Sequence, residues 1–219
     1  MKRALFVSLV LANAIVLAGP DTLIRHEDFN SAWSPSSPPT DWRIVYSGGS
    51  GGDTWNRRTG FPWTGNSTAY AGIWFATSSN HTDSLISPLL DCSRVRNITL
   101  RCSTYFLSRV AAAYTARILY SDDSGTTWRV VRDYANDSFG PGREVISLDT
   151  IGLRRNVFLA WVWSGDLANI NWWCLDNVTV TGQAVRDTDI TAKKVLRPER
   201  IELPGLPFHP SAIFQNIGT

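Results

Sequence analysis

The chain is expected to fold as an all-β protein, an antiparallel jelly-roll sandwich. Three observations point there. Beyond the N-terminal segment, helical periodicity is almost absent, and short runs of alternating apolar and polar residues recur instead. Gly, Pro, Asn or Asp bound nearly every run, as in chains of many short strands packed into two sheets. Hydrophobic residues make up 43% of 219, which suffices for a core and argues against whole-chain disorder.

The elements follow in order. MKRALFVSLVLANAIVLAGP opens with Lys2 and Arg3, continues apolar from Ala4 to Ala18, and ends on the small residues a signal peptidase prefers. Residues 1–18 read as a secretory signal; the alternative, an uncleaved anchor, would be short for a membrane helix. No second apolar run of spanning length follows, so a secreted or cell-surface protein is expected, with no membrane span beyond the signal.

Residues 19–182 carry the sandwich. Strands are expected at Leu23–Phe29, Trp42–Tyr46, Thr54–Arg57, Ala69–Phe75, Asp83–Ser87, Asn97–Phe106, Ala116–Ser121, Thr127–Asp133, Glu144–Leu148, Val157–Ser164 and Trp173–Thr181. Prolines keep Ser31–Asp41 out of any strand. Ser47–Asp53 (SGGSGGD) is a Gly-rich loop without the Lys-Ser/Thr of a phosphate-binding loop. Val157–Trp163 is apolar on both faces, as a central strand would be. Residues 183–188 read as a linker. Asp189–Val195 and Ser211–Asn216 are two further strands, too few to bury a core. Residues 189–219 are thus read as the truncated start of a second β domain, or as a strand pair packing on the first.

A net charge of +2 without a Lys/Arg run gives no electrostatic case for nucleic acid. The three cysteines, Cys92, Cys102 and Cys174, have no metal spacing and allow at most one internal bridge. The stretch SDDSGTTW, Ser121–Trp128, is spelled like the Asp-box turn of sialidase propellers, yet it occurs once, on a chain too short for such a propeller. It reads as a hairpin turn: Asp122 and Asp123 accept backbone N–H groups, Gly125 makes the bend, and Trp128 folds over it. The pairs Arg57-Arg58 and Arg154-Arg155 read as exposed loop residues. No Gly-x-Ser-x-Gly elbow is present, and His26, His81 and His209 belong to no zinc or nucleophile motif, reading as surface or strand-edge residues.

Several segments together resemble the choice-of-anchor J domains of secreted prokaryotic proteins, relatives of cleaved-adhesin and MAM-like jelly rolls. They are HEDFNSAWSPSSPPTDWRIV, GGDTWNRR, SLISPLLDCSRVRNITLRC, ARILYSDDSGTTWRVV and WWCLDNVTVTG. The resemblance covers Leu23 to about Gly182, and the tail is similar to the opening strands of an immunoglobulin-like domain. It implies a MAM-like or carbohydrate-binding-module-like sandwich with further C-terminal domains.

Candidate sites follow from alternation. Leu23, Glu27 and Phe29 should share one face, and Cys174, Asp176, Val178 and Val180 another, both directed inward by their apolar members. Inward carboxylates need compensation. Glu27 and Asp176 would converge on a structural Ca²⁺ if the first and last strands are neighbours, with Asp53 as a third candidate. The resemblance implies the same, since related jelly rolls hold Ca²⁺ between their terminal strands. The alternative is pairing with Arg25 or turn capping. Trp63, in the loop FPWTGN, with Arg57, Arg58 and Tyr70 close in sequence, is the candidate ligand surface; the alternative is that Trp63 and Trp33 close the ends of the sandwich. Trp161, Trp163, Trp172 and Trp173 are assigned to the core or its edge. Asn66, Asn80, Asn97, Asn136 and Asn177 begin glycosylation sequons.

The expected function is a non-enzymatic extracellular adhesion or recognition module with a glycan or protein partner. A carbohydrate-binding module attached to a hydrolase is the alternative, and a sialidase-like glycosidase a distant third.

Overall fold

The computed structural model describes residues 21–48, 53–63, 68–77, 80–109, 114–135, 137–185, 190–197 and 211–216. Residues 1–18, read from sequence as a signal, lie outside them. Thirteen strands are described: β1 Asp21–Glu27, β2 Arg43–Gly48, β3 Asn56–Arg58, β4 Tyr70–Trp74, β5 Asn80–Ile86, β6 Val95–Ser108, β7 Tyr114–Ser121, β8 Arg129–Asp133, β9 Phe139–Ser147, β10 Phe158–Asp166, β11 Ile170–Ala184, β12 Ile190–Arg197 and β13 Ser211–Asn216. Each expected strand is matched by one of these, Ser211–Asn216 at both ends and the others with one or both ends shifted.

Two antiparallel sheets form a jelly-roll sandwich. One runs β3-β4-β11-β6-β9, with β1 also on β11; the other runs β2-β5-β10-β7-β8. Strands β12 and β13 pair as a separate two-stranded sheet. β10, read from sequence as central, is the middle strand of its sheet.

β11 runs on to Ala184, into the expected linker. One of its edges is shared: β4 pairs with Trp172–Leu175, and β1 with Val178–Gln183. At the join the register against β6 slips between Asp176 and Thr179, and Asn177 has φ +50°, so the strand bulges there. The bulge corrects the expected faces. Trp173, Leu175, Val178 and Val180 point into the core, whereas Cys174 packs with Trp63 and Tyr70 outside it. Asp176, two residues from Cys174 and before the bulge, shares that outer side. β1 has its own irregularity between Leu23 and Arg25, which leaves Leu23 60% exposed and not inward as expected.

The core between the sheets is largely aromatic. Trp173 lies 5.3 Å from Trp55, 5.5 Å from Phe106 and 5.4 Å from Tyr134, ring centre to ring centre. Trp163 stacks on Tyr114 at 4.9 Å, and Trp161 approaches Trp42 at 5.9 Å. Each such pair contributes about 0.5–1.5 kcal/mol beyond its buried area. The Trp173 Nε1–H donates to Thr104 Oγ1, and that hydroxyl donates to the Cys174 carbonyl, so the indole's polar atom is satisfied. Trp172, on the opposite face of β11, packs against Phe61 and Tyr105. All three cysteines are buried and unbridged. Burial pushes the thiol of Cys92 up to about 11 and that of Cys102 to about 12, and raises that of Cys174 as well.

Trp173→Ala is expected to lower the unfolding free energy by about 3–5 kcal/mol in urea titrations. Trp128→Ala, at a half-exposed ring, should cost under about 1 kcal/mol.

Candidate ligand-binding face

The outer face of the five-stranded sheet is described row by row from its register. One row crosses all five strands: Arg43, Ile86, Ala160, Leu119 and Val130. The next reads Val45, Ser84, Val162, Arg117 and Asp133. A third reads Ser47, Thr82, Ser164 and Thr115. The face therefore grades from apolar to hydroxyl-rich along the strands. Strand spacing makes each five-strand row roughly 19 Å wide.

The apolar end holds an open pocket of about 310 Å³ lined by Val45, Ser84, Ile86, Leu119, Trp128, Ala160 and Val162. Val45 is 55% exposed. The Arg43 guanidinium lies 4.8 Å from the Phe158 ring centre, a cation–π contact beside the same rows. An Arg117–Asp133 ion pair at 2.7 Å supplies fixed polar groups at the far side.

The SDDSGTTW hairpin positions Trp128. Asp123 accepts the Thr127 N–H at 2.8 Å, the Thr127 hydroxyl at 2.6 Å and the Ser121 hydroxyl at 2.7 Å. These donors hold the Asp123 carboxyl down at about 2. The Gly125 N–H donates to Ser121 Oγ at 2.8 Å, and Ser124 and Gly125 take φ +64° and +90°. The Trp128 Nε1–H then donates to the Gly125 carbonyl at 3.1 Å, which leaves the ring surface to the pocket. Asp122 departs from the expected turn role: it stands 3.6 Å from Arg129 and 3.7 Å from Arg154.

The hydroxyl-rich end opens into a second pocket of about 350 Å³, lined by Ser47, Gly48, Asn80, His81, Thr82, Ser164 and Gly165. Thr82 and Ser164 hydroxyls lie 2.9 Å apart. His81, expected at a surface or edge, is 6% exposed because its side chain turns under Gly48, where a Cβ would lie 2.7 Å from the ring. Its Nδ1 is 3.7 Å from Asp83 Oδ2, and Asp83 is 0% exposed. Burial pushes the Asp83 carboxyl up to about 6, against the opposing influence of Thr54 and His81.

The sequence-predicted ligand residues lie elsewhere, and the structure corrects their reading. Trp63 is 9% and Tyr70 0% exposed; their rings meet at 5.8 Å, and the Tyr70 hydroxyl donates to the Phe61 carbonyl. Neither ring is open to a sugar. Arg57 and Arg58 stand on β3, half-buried, not in an exposed loop. Arg57 donates to the Asn30 carbonyl at 3.0 Å, and Arg58 pairs with Asp53 while lying over Trp74 at 4.5 Å.

Of the carboxylates proposed for Ca²⁺, Asp53 is engaged by Arg58 and by the Trp74 N–H at 2.7 Å. Glu27 and Asp176 flank the same break in the sheet, as β1 does pair with β11. Glu27 lies opposite Val178 on the core side, 3.8 Å from Arg25, and accepts the Phe29 N–H at 2.9 Å. Asp176 accepts from Thr68 at 3.2 Å and from the Asn177 backbone at 2.7 Å on the other side. Among the described residues no three His, Cys, Asp or Glu side chains gather closely enough to hold a metal ion.

Val45, Phe158, Val162 and the pocket-side role of Trp128 were missed from sequence. The signal was present in the second apolar face of Val157–Trp163, which alternation alone reads as buried.

The fold is similar to that of a solved cleaved adhesin domain. The K3 cleaved adhesin domain of Lys-gingipain from Porphyromonas gingivalis W83 superposes with a TM-score of 0.50 at 13% identity, covering 73% of this chain and 98% of that one. The K1 domain of the same protein gives 0.47 at 12%, covering 71% and 96%. The CBM22-1 xylan-binding domain from Paenibacillus barcinonensis Xyn10C gives 0.43 at 9%, covering 78% and 99%. No protein-family model matches the chain, and no curated protein does either.

The buried Asp83 sets a pH dependence. With its folded carboxyl at about 6 and an unfolded value of about 3.9, the folded protein retains a proton that the unfolded chain has released. Stability should therefore fall as pH rises from about 4 to about 6, and urea midpoints across that window should show it. Asp83→Asn should flatten this slope and be the more stable variant at pH 7.

Proposed function

We propose that the chain is a non-enzymatic extracellular recognition module, and that it binds a saccharide across the outer face of the five-stranded sheet. The observation that carries this is the gradient on that face. Trp128 and its apolar neighbours suit the C–H surface of a sugar ring, and the Ser/Thr row and the Arg117–Asp133 pair suit its hydroxyls. Adhesion through such contacts is the primary reading. A carbohydrate-binding module serving an attached hydrolase is the alternative. The choice-of-anchor J resemblance and the signal-like N-terminal sequence support secretion or surface display.

Buried thiols with raised pKa are poor nucleophiles, and the Asp-box spelling is used up in building a turn. Among the described residues no helix is long and apolar enough to cross a membrane.

A glycan array followed by calorimetry on the best hit tests the reading. Trp128→Ala should weaken binding at least tenfold, about 1.4 kcal/mol, with little change in melting temperature. Retained affinity in Trp128→Ala would reject this face as the site. A protein ligand lost in the same variant, with no glycan bound, would keep the face and replace the sugar.

A structural Ca²⁺ at Glu27 and Asp176 is a separate proposal; it rests on their shared place at the break in the sheet and requires the two carboxylates, which stand on opposite sides of it, to turn toward one another. It predicts a higher melting temperature in Ca²⁺ than in chelator, and superimposable melts discard it.

A further inference from the structure

The outer face of the other sheet differs in chemistry. One row reads His26, Thr179, Arg101 and Val145 across β1, β11, β6 and β9. The adjacent row pairs Asp176 with Ser103 and Ser103 with Arg143, with Asn177 in the bulge. Between these rows is a pocket of about 370 Å³ lined by His26, Ser103, Arg143, Asn177 and Thr179. All five side chains can donate hydrogen bonds.

Two arginines near it have no ion-pair partner among the described residues. Arg143 is exposed, and among the described residues it has no ion-pair partner. Arg101, beside Thr179, donates to the Thr181 hydroxyl at 2.9 Å and keeps its charge uncompensated. His26 Nδ1 lies 3.1 Å from Thr179 Oγ1. The acidic groups nearby keep their charges, and the oxygens of each accept from other donors. Glu27 is on the core side. Asp176 is 1% exposed and bonded to Thr68 and Asn177. Asp28, near His26, accepts the Asn30 N–H.

We infer that this pocket binds an oxyanion, a carboxylate or sulfate group, between Arg143 and the donors of His26, Ser103, Asn177 and Thr179. A guanidinium presents paired N–H groups that match a planar carboxylate or two sulfate oxygens, and the flanking hydroxyls and amide complete the shell. Arg101 adds a second positive charge one diagonal position away. The carrier is either an acidic saccharide or a free anion. The site stands on the sheet opposite the Trp128 face and does not rest on the saccharide reading made for that face.

The test is an NMR titration of the protein at low ionic strength with sodium sulfate and, separately, with a galacturonate trimer. Saturable amide shifts are expected at His26, Ser103, Asn177 and Thr179. Arg143→Ala should weaken binding at least tenfold, and Arg143→Lys less. Arg155→Ala, the same charge change in an exposed loop, and Trp128→Ala should stay within twofold of the parent. Tighter binding of the trimer assigns a saccharide carrier, and binding of sulfate alone assigns a free ion. Absence of saturable shifts at these amides with both probes overturns the site. An equal loss in Arg155→Ala does so too, by reducing the effect to net charge.

Discussion

One side of strand β11 is hydrogen bonded along its length to β6, and the other is divided between β4 and β1. A strand can serve two partners on one edge only if they end and begin at the same place. That place is Asp176–Asn177, where the extra residue of the bulge absorbs the discontinuity. Trp173 and Leu175 before the bulge and Val178 and Val180 after it all reach the core, because the bulge restores the inward phase. Asp176 is left on the outer side, where the Thr68 hydroxyl and the Asn177 amide satisfy it.

The aromatic core follows from that strand. Trp173 contacts rings from β6 and from the loops flanking β3 and β8, so it ties the two sheets together. With Trp161 and Trp163 from β10 filling the other layer, the second sheet is fixed at one distance from the first. Among the described residues no further layer lies over its outer face, where Val45 and Val130 are 55% and 51% exposed. A sheet held by its neighbours on the inner side, with an apolar end and a hydroxyl-rich end on the outer, is a suitable platform for a ligand, because preorganised groups lower the ordering cost of binding. The Asp123-centred turn extends the same preorganisation to Trp128, whose ring is fixed by its own N–H. The cationic face of the first sheet arises from the same strand registers, which bring Arg101, Arg143 and His26 from three strands to neighbouring positions.

Much of this was legible in the sequence. Alternation and turn residues located the strands, because a strand's side-chain period and a turn's backbone requirements are local properties. SDDSGTTW was readable as a turn for the same reason: its partners lie within seven residues of one another. The central place of Val157–Ser164 also followed from local pattern.

Which face each residue serves was decided only by tertiary structure. A bulge at Asn177 moved Asp176 away from Val178, since one inserted residue reverses every side chain beyond it, and nothing in the local pattern marks the insertion. Trp63 and Tyr70 are buried because they pack together with Cys174 of β11, a contact between segments far apart in sequence. Val162 and Trp128 share a pocket for the converse reason, as strands distant in the chain meet on a face that the fold leaves uncovered. Composition and periodicity fixed that there would be two sheets; the registers between distant strands fixed what stands exposed on them.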